Sequence, residues 1–182
     1  LMQIVATIKS AIMRSRYQAA KSVNKRALGL YFLVGEYLTK TLEASNWGES
    51  VIDKIASILQ QELPGLKGFS PSSMRKMKSF FNTWKNDFEF CSLATNDFIQ
   101  NIKALNSSEL EICSLTTNKL SEADFDAFMS VGFTHHYEIA SKGLSFDDRI
   151  FYIRKCATEF WTVKRLQRHI KEELHQALPI QA

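Results

Sequence analysis

Ser72, Arg75, Ser79 and Asn82 follow one another at intervals of three and four residues, with Lys76 and Lys78 between them. That spacing gathers Ser72, Arg75, Lys76, Ser79 and Asn82 on one polar side of a helix, opposite Met74, Met77, Phe81 and Trp84. The polar set has the chemistry of base readout. Arginine makes bidentate contacts to guanine, asparagine to adenine, and serine is permissive, while Ser72 and Lys78 suit phosphate. A surface helix that meets only water carries a similar face, so solvation accounts for the same residues without a ligand. The aromatic side, Phe80, Phe81 and Trp84, continues the spacing of Met74 and Met77 and reads as core rather than as a stacking platform.

The segment that must carry these residues has sharp boundaries. In "GFSPSSMRKMKSFFNTW" Ser70 is placed to cap a helix and Pro71 occupies its first position, where a missing N–H costs nothing; the helix is expected to run to about Asn86. Before it, "NWGESVIDKIASILQQELPG" predicts a helix whose buried stripe is Val51, Ile52, Ile55, Ile58, Leu59 and Leu63, ended by Pro64-Gly65. Helix, turn and helix over 50–86 form a helix-turn-helix-like unit. Its turn, "PGLKGFS", is longer than the tightest turns of that motif, with glycines and Phe69 available to fold it compactly. In such a unit the second helix enters the major groove.

A second basic helix is expected in "TVKRLQRHIKEEL", capped by Thr162 and ending before Pro179. Val163, Leu166 and Ile170 point inward, and Lys164, Arg165, Arg168 and Lys171 outward. Its basic start and its acidic end at Glu172 and Glu173 run against the helix dipole. Catalytic patterns are missing from the sequence. His135 and His136 are neighbours that face different sides of a helix, and His169 and His175 lack the spacing to share a metal with a nearby Cys or carboxylate. There is no phosphate-cradling Gly-rich loop, serine elbow or cysteine paired with a base, and Asp147-Asp148 are explained by capping.

The rest of the chain reads as helices. Apolar residues from Ile4 to about Leu42 recur at helical intervals without proline, which predicts one long helix or two nearly collinear ones; Gly29 or Gly35 marks a bend or a close helix crossing. Residues 89–120 have weak periodicity and are expected to be an inserted excursion with one short helix over 97–105, a short hairpin over 110–118 remaining open. Further helices are expected over 121–130, over 134–142, and from the capping box at Ser145 to about Phe160. The class is all-α, a multi-helix domain with a long N-terminal helix and a helix-turn-helix-like unit. Residues 1–88 hold the long helix and that unit, 89–120 the acidic insertion, and 121–182 the C-terminal helices packing on the same domain.

With 182 residues, 45% of them hydrophobic, the chain can bury a sizeable core. Thirteen Lys and Arg face six Asp and Glu up to Phe88, two face seven from Glu89 to Ser130, and eight face six thereafter. This distribution suits a positive surface offered to a polyanion, although a solvated charge mosaic also satisfies it. Three cysteines at wide spacing, Cys91, Cys113 and Cys156, suggest neither a disulfide framework nor a metal cluster. No apolar run is long enough to span a membrane and no signal pattern opens the chain, so the cytoplasm is the expected compartment.

Several strings, taken in order, resemble the N-terminal domain of the YhcG-type nucleases, a bacterial domain of unknown function: "VNKRALGLYFLVGEYL", "NWGESVIDKIASIL", "GFSPSSMRKMKSFF", "GFTHHYEIASK" and "DDRIFYIRKCATEFWTVKRL". The resemblance rests on the succession of Asn24, Tyr31-Phe32 with Gly35, Trp47-Gly48, Gly68-Phe69-Ser70, His135-His136, Arg149 with Phe151-Tyr152, and Trp161-Thr162-Val163. It covers nearly the whole chain apart from about 89–120. Tyr31-Phe32 stands where the family often has Tyr-Trp, and Arg165 where an acidic residue is usual. The resemblance implies a helical domain that precedes a PD-(D/E)XK nuclease domain, in which acidic residues and a lysine hold a divalent metal and activate water. The D-x-K or E-x-K signature of such a nuclease is absent from this chain, which is therefore expected to be cut from a longer one.

These readings converge on a non-catalytic DNA-binding or targeting domain of a bacterial restriction-like nuclease. Ser72, Arg75, Lys76, Lys78, Ser79 and Asn82 would meet DNA, and Lys164, Arg165 and Arg168 would extend the contact. The expected partners are DNA and the nuclease domain of the same chain, with no cofactor in this fragment. The competing expectation is a protein-interaction or oligomerisation domain, in which the apolar stripe and Gly35 of the long first helix meet a second copy or the nuclease domain.

Overall fold

The computed structural model of the chain describes residues 2–45, 48–87 and 120–177. Regular structure among them is entirely helical: α1 Met2–Ser45, α2 Ser50–Glu62, α3 Pro71–Trp84, α4 Glu122–Ser130, α5 Phe133–Ala140, α6 Phe146–Glu159, α7 Val163–Lys171 and α8 Leu174–Ala177. The protein is all-α, as the apolar periodicity requires. The expected insertion, with its helix over 97–105 and the question of a hairpin, falls outside the described residues. The chain divides into two compact units, residues 29–118 and residues 1–28 with 119–182, and the division falls inside α1.

In the unit formed by residues 29–87, the second half of α1 packs with α2 and α3. Leu38, Leu42, Ile52, Ala56 and Met74 are buried together, with Val34, Val51, Ile55 and Leu59 packed against them. Phe32 meets the edges of Phe80 and Phe81 at centroid distances of 6.0 and 5.0 Å. Gly35 sits at the closest approach of α1 to α3, where a Cβ would lie 2.2 Å from the Met77 carbonyl oxygen. Of the two roles open to the α1 glycines, Gly35 has the close crossing, whereas a Cβ on Gly29 meets nothing within 4 Å among the described residues. The α2 stripe is narrower than its spacing suggests. Ile58 and Leu63 are 53% and 52% exposed, so the buried side is Ile52 and Ala56 with the flanks of Val51, Ile55 and Leu59.

In the other unit α4 packs on α6, α5 on α6 and α7, and α8 on α6 and α7. Its core includes Phe128, Met129, Ile139, Tyr152, Ile153, Trp161 and Leu166. Asn24 on α1 donates from Nδ2 to the Ser130 carbonyl at 2.8 Å, and Lys21 pairs with Asp126. Ser121 caps α4 by accepting from the Asp124 N–H at 3.2 Å, and its hydroxyl donates to the Asp124 carboxylate at 2.6 Å. Arg154 of α6 grips the same carboxylate, with Nη2 donating to Oδ2 at 2.8 Å. The Arg154 hydrogen bond, ahead of the opposing effect of burial, holds the Asp124 carboxyl below its ordinary 3.8.

His135 and His136 diverge as neighbours on a helix must. His135 donates from Nε2 to the Trp161 carbonyl at 2.9 Å, and His136, fully buried, from Nε2 to the Phe128 carbonyl at 2.9 Å. Burial pushes the His136 pKa down to about 3, so the ring is neutral.

The expected single last helix is broken. α7 stops at Lys171, Glu173 takes a left-handed φ of +51°, and α8 follows as one short turn of helix. Glu172 therefore caps α7 and Glu173 lies beyond it. The last turn of α7 carries Arg168 and Lys171, which the dipole favours, while the basic start and Glu172 at the C-cap oppose it.

Candidate nucleic-acid interface

The position of α3 is set at both ends and along one side. Ser70, extended at ψ 159°, accepts from the Ser73 N–H at 3.2 Å, and Pro71 occupies the first turn. The preceding turn closes through a bond from the Leu66 N–H to the Leu63 carbonyl at 3.0 Å. Gly65 and Gly68 adopt φ of +87° and +89°, conformations that side-chain-bearing residues avoid. Phe69 folds back so that its ring meets the edge of Tyr31 at 6.2 Å. The longer turn is thereby compact. Met74, Met77, Phe80, Phe81 and Trp84 are all buried, which roots the apolar side of α3 and fixes which residues remain outside.

Those outside are the polar residues of the sequence pattern, and several of them have intramolecular partners. Arg75 donates from Nη2 to Asp53 Oδ2 at 2.7 Å, and its Nε lies 3.8 Å from Glu49 Oε2. Lys78 pairs with the other oxygen of Glu49. Asn82 is engaged on both sides: its amide lies 3.5 Å from the Thr39 hydroxyl, and its Oδ1 accepts from Lys85 Nζ at 3.1 Å. Ser72 is exposed, Lys76 is half-buried, and the Ser79 carbonyl accepts from the Thr83 hydroxyl at 2.9 Å.

Glu49, Arg75, Lys78, Ser79, Asn82 and Thr83 line an open cleft of about 460 Å³. The fold thus gathers four of the sequence-derived residues, Arg75, Lys78, Ser79 and Asn82, around one cleft. Ser72 and Lys76 lie on α3 but do not line it. The sequence pattern missed Glu49 and Asp53. They stand four residues apart, Glu49 at the N-cap of α2 and Asp53 in its first turn, and only the packing of α2 on α3 makes them the partners of residues 22 to 29 positions away. Exposed pairs of this kind contribute roughly 0.2–1 kcal/mol each, so a competing anion can open them.

Lys164, Arg165 and Arg168 belong to the other unit. Thr162 caps α7 by accepting from the Arg165 N–H at 3.3 Å. Lys164, Arg165, Arg168 and Lys171 are all exposed, while Leu166 and Ile170 are buried, as the spacing requires. Arg165 donates to Glu159 at 3.1 Å and lies 5.1 Å from the Trp161 ring centroid; Arg168 is 3.8 Å from Glu172. Hydrogen bonds from Lys155 and, after it, from Trp161 hold the Glu159 carboxyl below its ordinary value, with the Arg165 charge adding to them.

No group of His, Cys, Asp and Glu among the described residues has the arrangement of a metal site, and no described helix is long and apolar enough to cross a membrane. A family model described as the DUF1016 N-terminal domain matches residues 7–177. No curated protein and no solved structure matches the chain significantly.

Proposed function

We propose, from the premise that the chain belongs to the DUF1016 N-terminal domain family, that it is a non-catalytic DNA-binding domain that targets a bacterial PD-(D/E)XK nuclease domain carried by the same protein. One observation carries this reading: five buried side chains hold α3 in place, and its opposite side opens on a cleft lined by Arg75, Lys78, Ser79 and Asn82. The buried anchors pre-orient the polar side, as a recognition helix requires. Arg75 and Asn82 supply donors for base edges, Ser72 and Lys78 for phosphate, and Lys164, Arg165 and Arg168 add cations on α7. Any divalent metal would belong to the nuclease domain, where it would activate water.

Titration of a fluorescent duplex at rising salt tests the reading. Binding should weaken as a power law in salt, Lys78→Ala should reduce the slope by about one, and Arg75→Ala with Lys76→Ala should lower affinity. Absence of binding at low salt, or unchanged binding by that variant, would sink the recognition-helix assignment.

A second reading has its own observation. Val5, Ile8 and Ile12, spaced three and four apart on α1, are 52%, 54% and 47% exposed, a stripe suited to a protein partner or a second copy. Gly35 does not take part in it, because that residue is occupied by the contact with Met77. Self-association predicts a dimer by light scattering that Ile8→Lys with Ile12→Lys dissociates; a monomer at high concentration counts against self-pairing.

A further inference from the structure

We infer that Glu49 and Asp53 act as a built-in competitor for phosphate on the α3 face, holding Arg75 and Lys78 until a nucleic acid displaces them, and so limit indiscriminate binding. The inference rests on the DNA-binding reading and adds how that face is controlled. Both carboxylates are themselves about half exposed, at 56% and 51%, and they sit at the N-cap and in the first turn of α2, against which α3 packs. Glu49 reaches two cations at once, Arg75 through Oε2 and Lys78 through Oε1, while Asp53 takes the Nη2 of Arg75. Glu49 also lines the cleft that the two cations line, so a phosphate entering beside them meets its charge directly.

Two consequences follow from electrostatics. A phosphate that reaches Arg75 or Lys78 replaces an existing ion pair rather than filling an empty site, so the gain is the difference between two similar contacts. The released carboxylates then remain within a few ångströms of the bound phosphate, well inside the screening length at physiological salt, and repel it. A duplex that offers only backbone gains little on this face. One that also satisfies donors on Arg75, Ser79 or Asn82 through base edges recovers the loss, which shifts preference from any DNA toward particular sequences.

The test is a comparison of four proteins on a random-sequence duplex: the wild type, Glu49→Gln with Asp53→Asn, Arg75→Ala with Lys78→Ala, and the four changes together. A control protein, Glu43→Gln with Glu62→Gln, alters net charge by the same two units through exposed carboxylates elsewhere in the unit. Circular dichroism of each confirms that the helices are retained. The expected result is that the Glu49/Asp53 variant binds roughly two- to thirtyfold more tightly than wild type, a range set by the two short ion pairs, Arg75–Asp53 and Lys78–Glu49. The control should change much less, and the gain should vanish when Arg75 and Lys78 are also removed. A gain that the control reproduces, or that survives the loss of Arg75 and Lys78, overturns the inference in favour of a general charge effect. Unchanged or weaker binding by the variant overturns it while leaving wild-type DNA binding intact. No binding by any of the proteins overturns the inference together with the reading beneath it.

Discussion

Replacing Gly35 by alanine should destabilise the protein although the substitution improves helix propensity. In an exposed helix interior the change stabilises by about 1 kcal/mol. At Gly35 the new Cβ would stand 2.2 Å from the Met77 carbonyl oxygen, 2.8 Å from its carbon and 2.9 Å from Phe81 Cβ. Two of those atoms belong to the backbone of α3, which no rotamer change can move aside, so the helices must separate. Overpacking of this kind costs typically about 1–3 kcal/mol, occasionally more, which outweighs the propensity gain. Backbone atoms at 2.2 and 2.8 Å put this site at the upper end of that range, so the expected net loss is about 2 kcal/mol, or a fall in Tm of roughly 4–8 °C at about 2–4 °C per kcal/mol for a chain of this size. Gly29→Ala is the matched control: the same helix and the same change, with nothing among the described residues within 4 Å of the added methyl. It should leave stability unchanged or raise it by up to about 1 kcal/mol. Urea and thermal unfolding followed by circular dichroism give both values. Equal effects at the two positions, or a Gly35→Ala protein as stable as wild type, would show that α1 and α3 do not cross as closely as described.

Three further outcomes are open to measurement. Ser70→Ala removes the acceptor for the Ser73 N–H and should cost about 1 kcal/mol in denaturant unfolding, while Ser70→Asp, which keeps an acceptor, should retain most of it. Asp124 has its folded pKa lowered by Arg154, so its contribution is present above the ordinary 3.8 and is lost as pH falls through the lower folded value; Asp124→Asn should be less stable at pH 7, by a margin that shrinks in acid. His136 stays neutral in the fold, with a pKa of about 3 against an ordinary 6.5, whereas the unfolded chain takes up the proton. Stability should therefore decline from about pH 6.5 toward pH 3, by up to about 1.4 kcal/mol per pH unit, and His136→Gln should flatten that decline in pH-dependent urea unfolding.

The strings that carry the family resemblance turn out to hold the fold together. Asn24 ties α1 to the Ser130 carbonyl, Tyr31 receives Phe69, Gly35 admits Met77, and His135 and His136 cap carbonyls at Trp161 and Phe128. Packing at such positions tolerates few side chains, so it leaves a mark that reads through the sequence. The polar side of α3 leaves no comparable mark, since arginine, lysine and serine suit any solvated helix.

Local chemistry was legible from the residues alone: the helical class, the caps at Ser70, Ser145 and Thr162, the compact glycine-containing turn, and the split of α3 into an anchored and an outward side. Each depends on residues within a few positions of one another, where spacing and side-chain type decide the geometry. Folding in three dimensions settled the rest. It chose Gly35 over Gly29 for the crossing, left Ile8, Ile12, Ile58 and Leu63 exposed, broke the last helix at Glu173, and set Glu49 and Asp53, at the N-cap and first turn of α2, against Arg75 and Lys78 of α3. Periodicity shows which side of a helix is apolar but not whether another element covers it, and charge along the chain does not show which charges will meet.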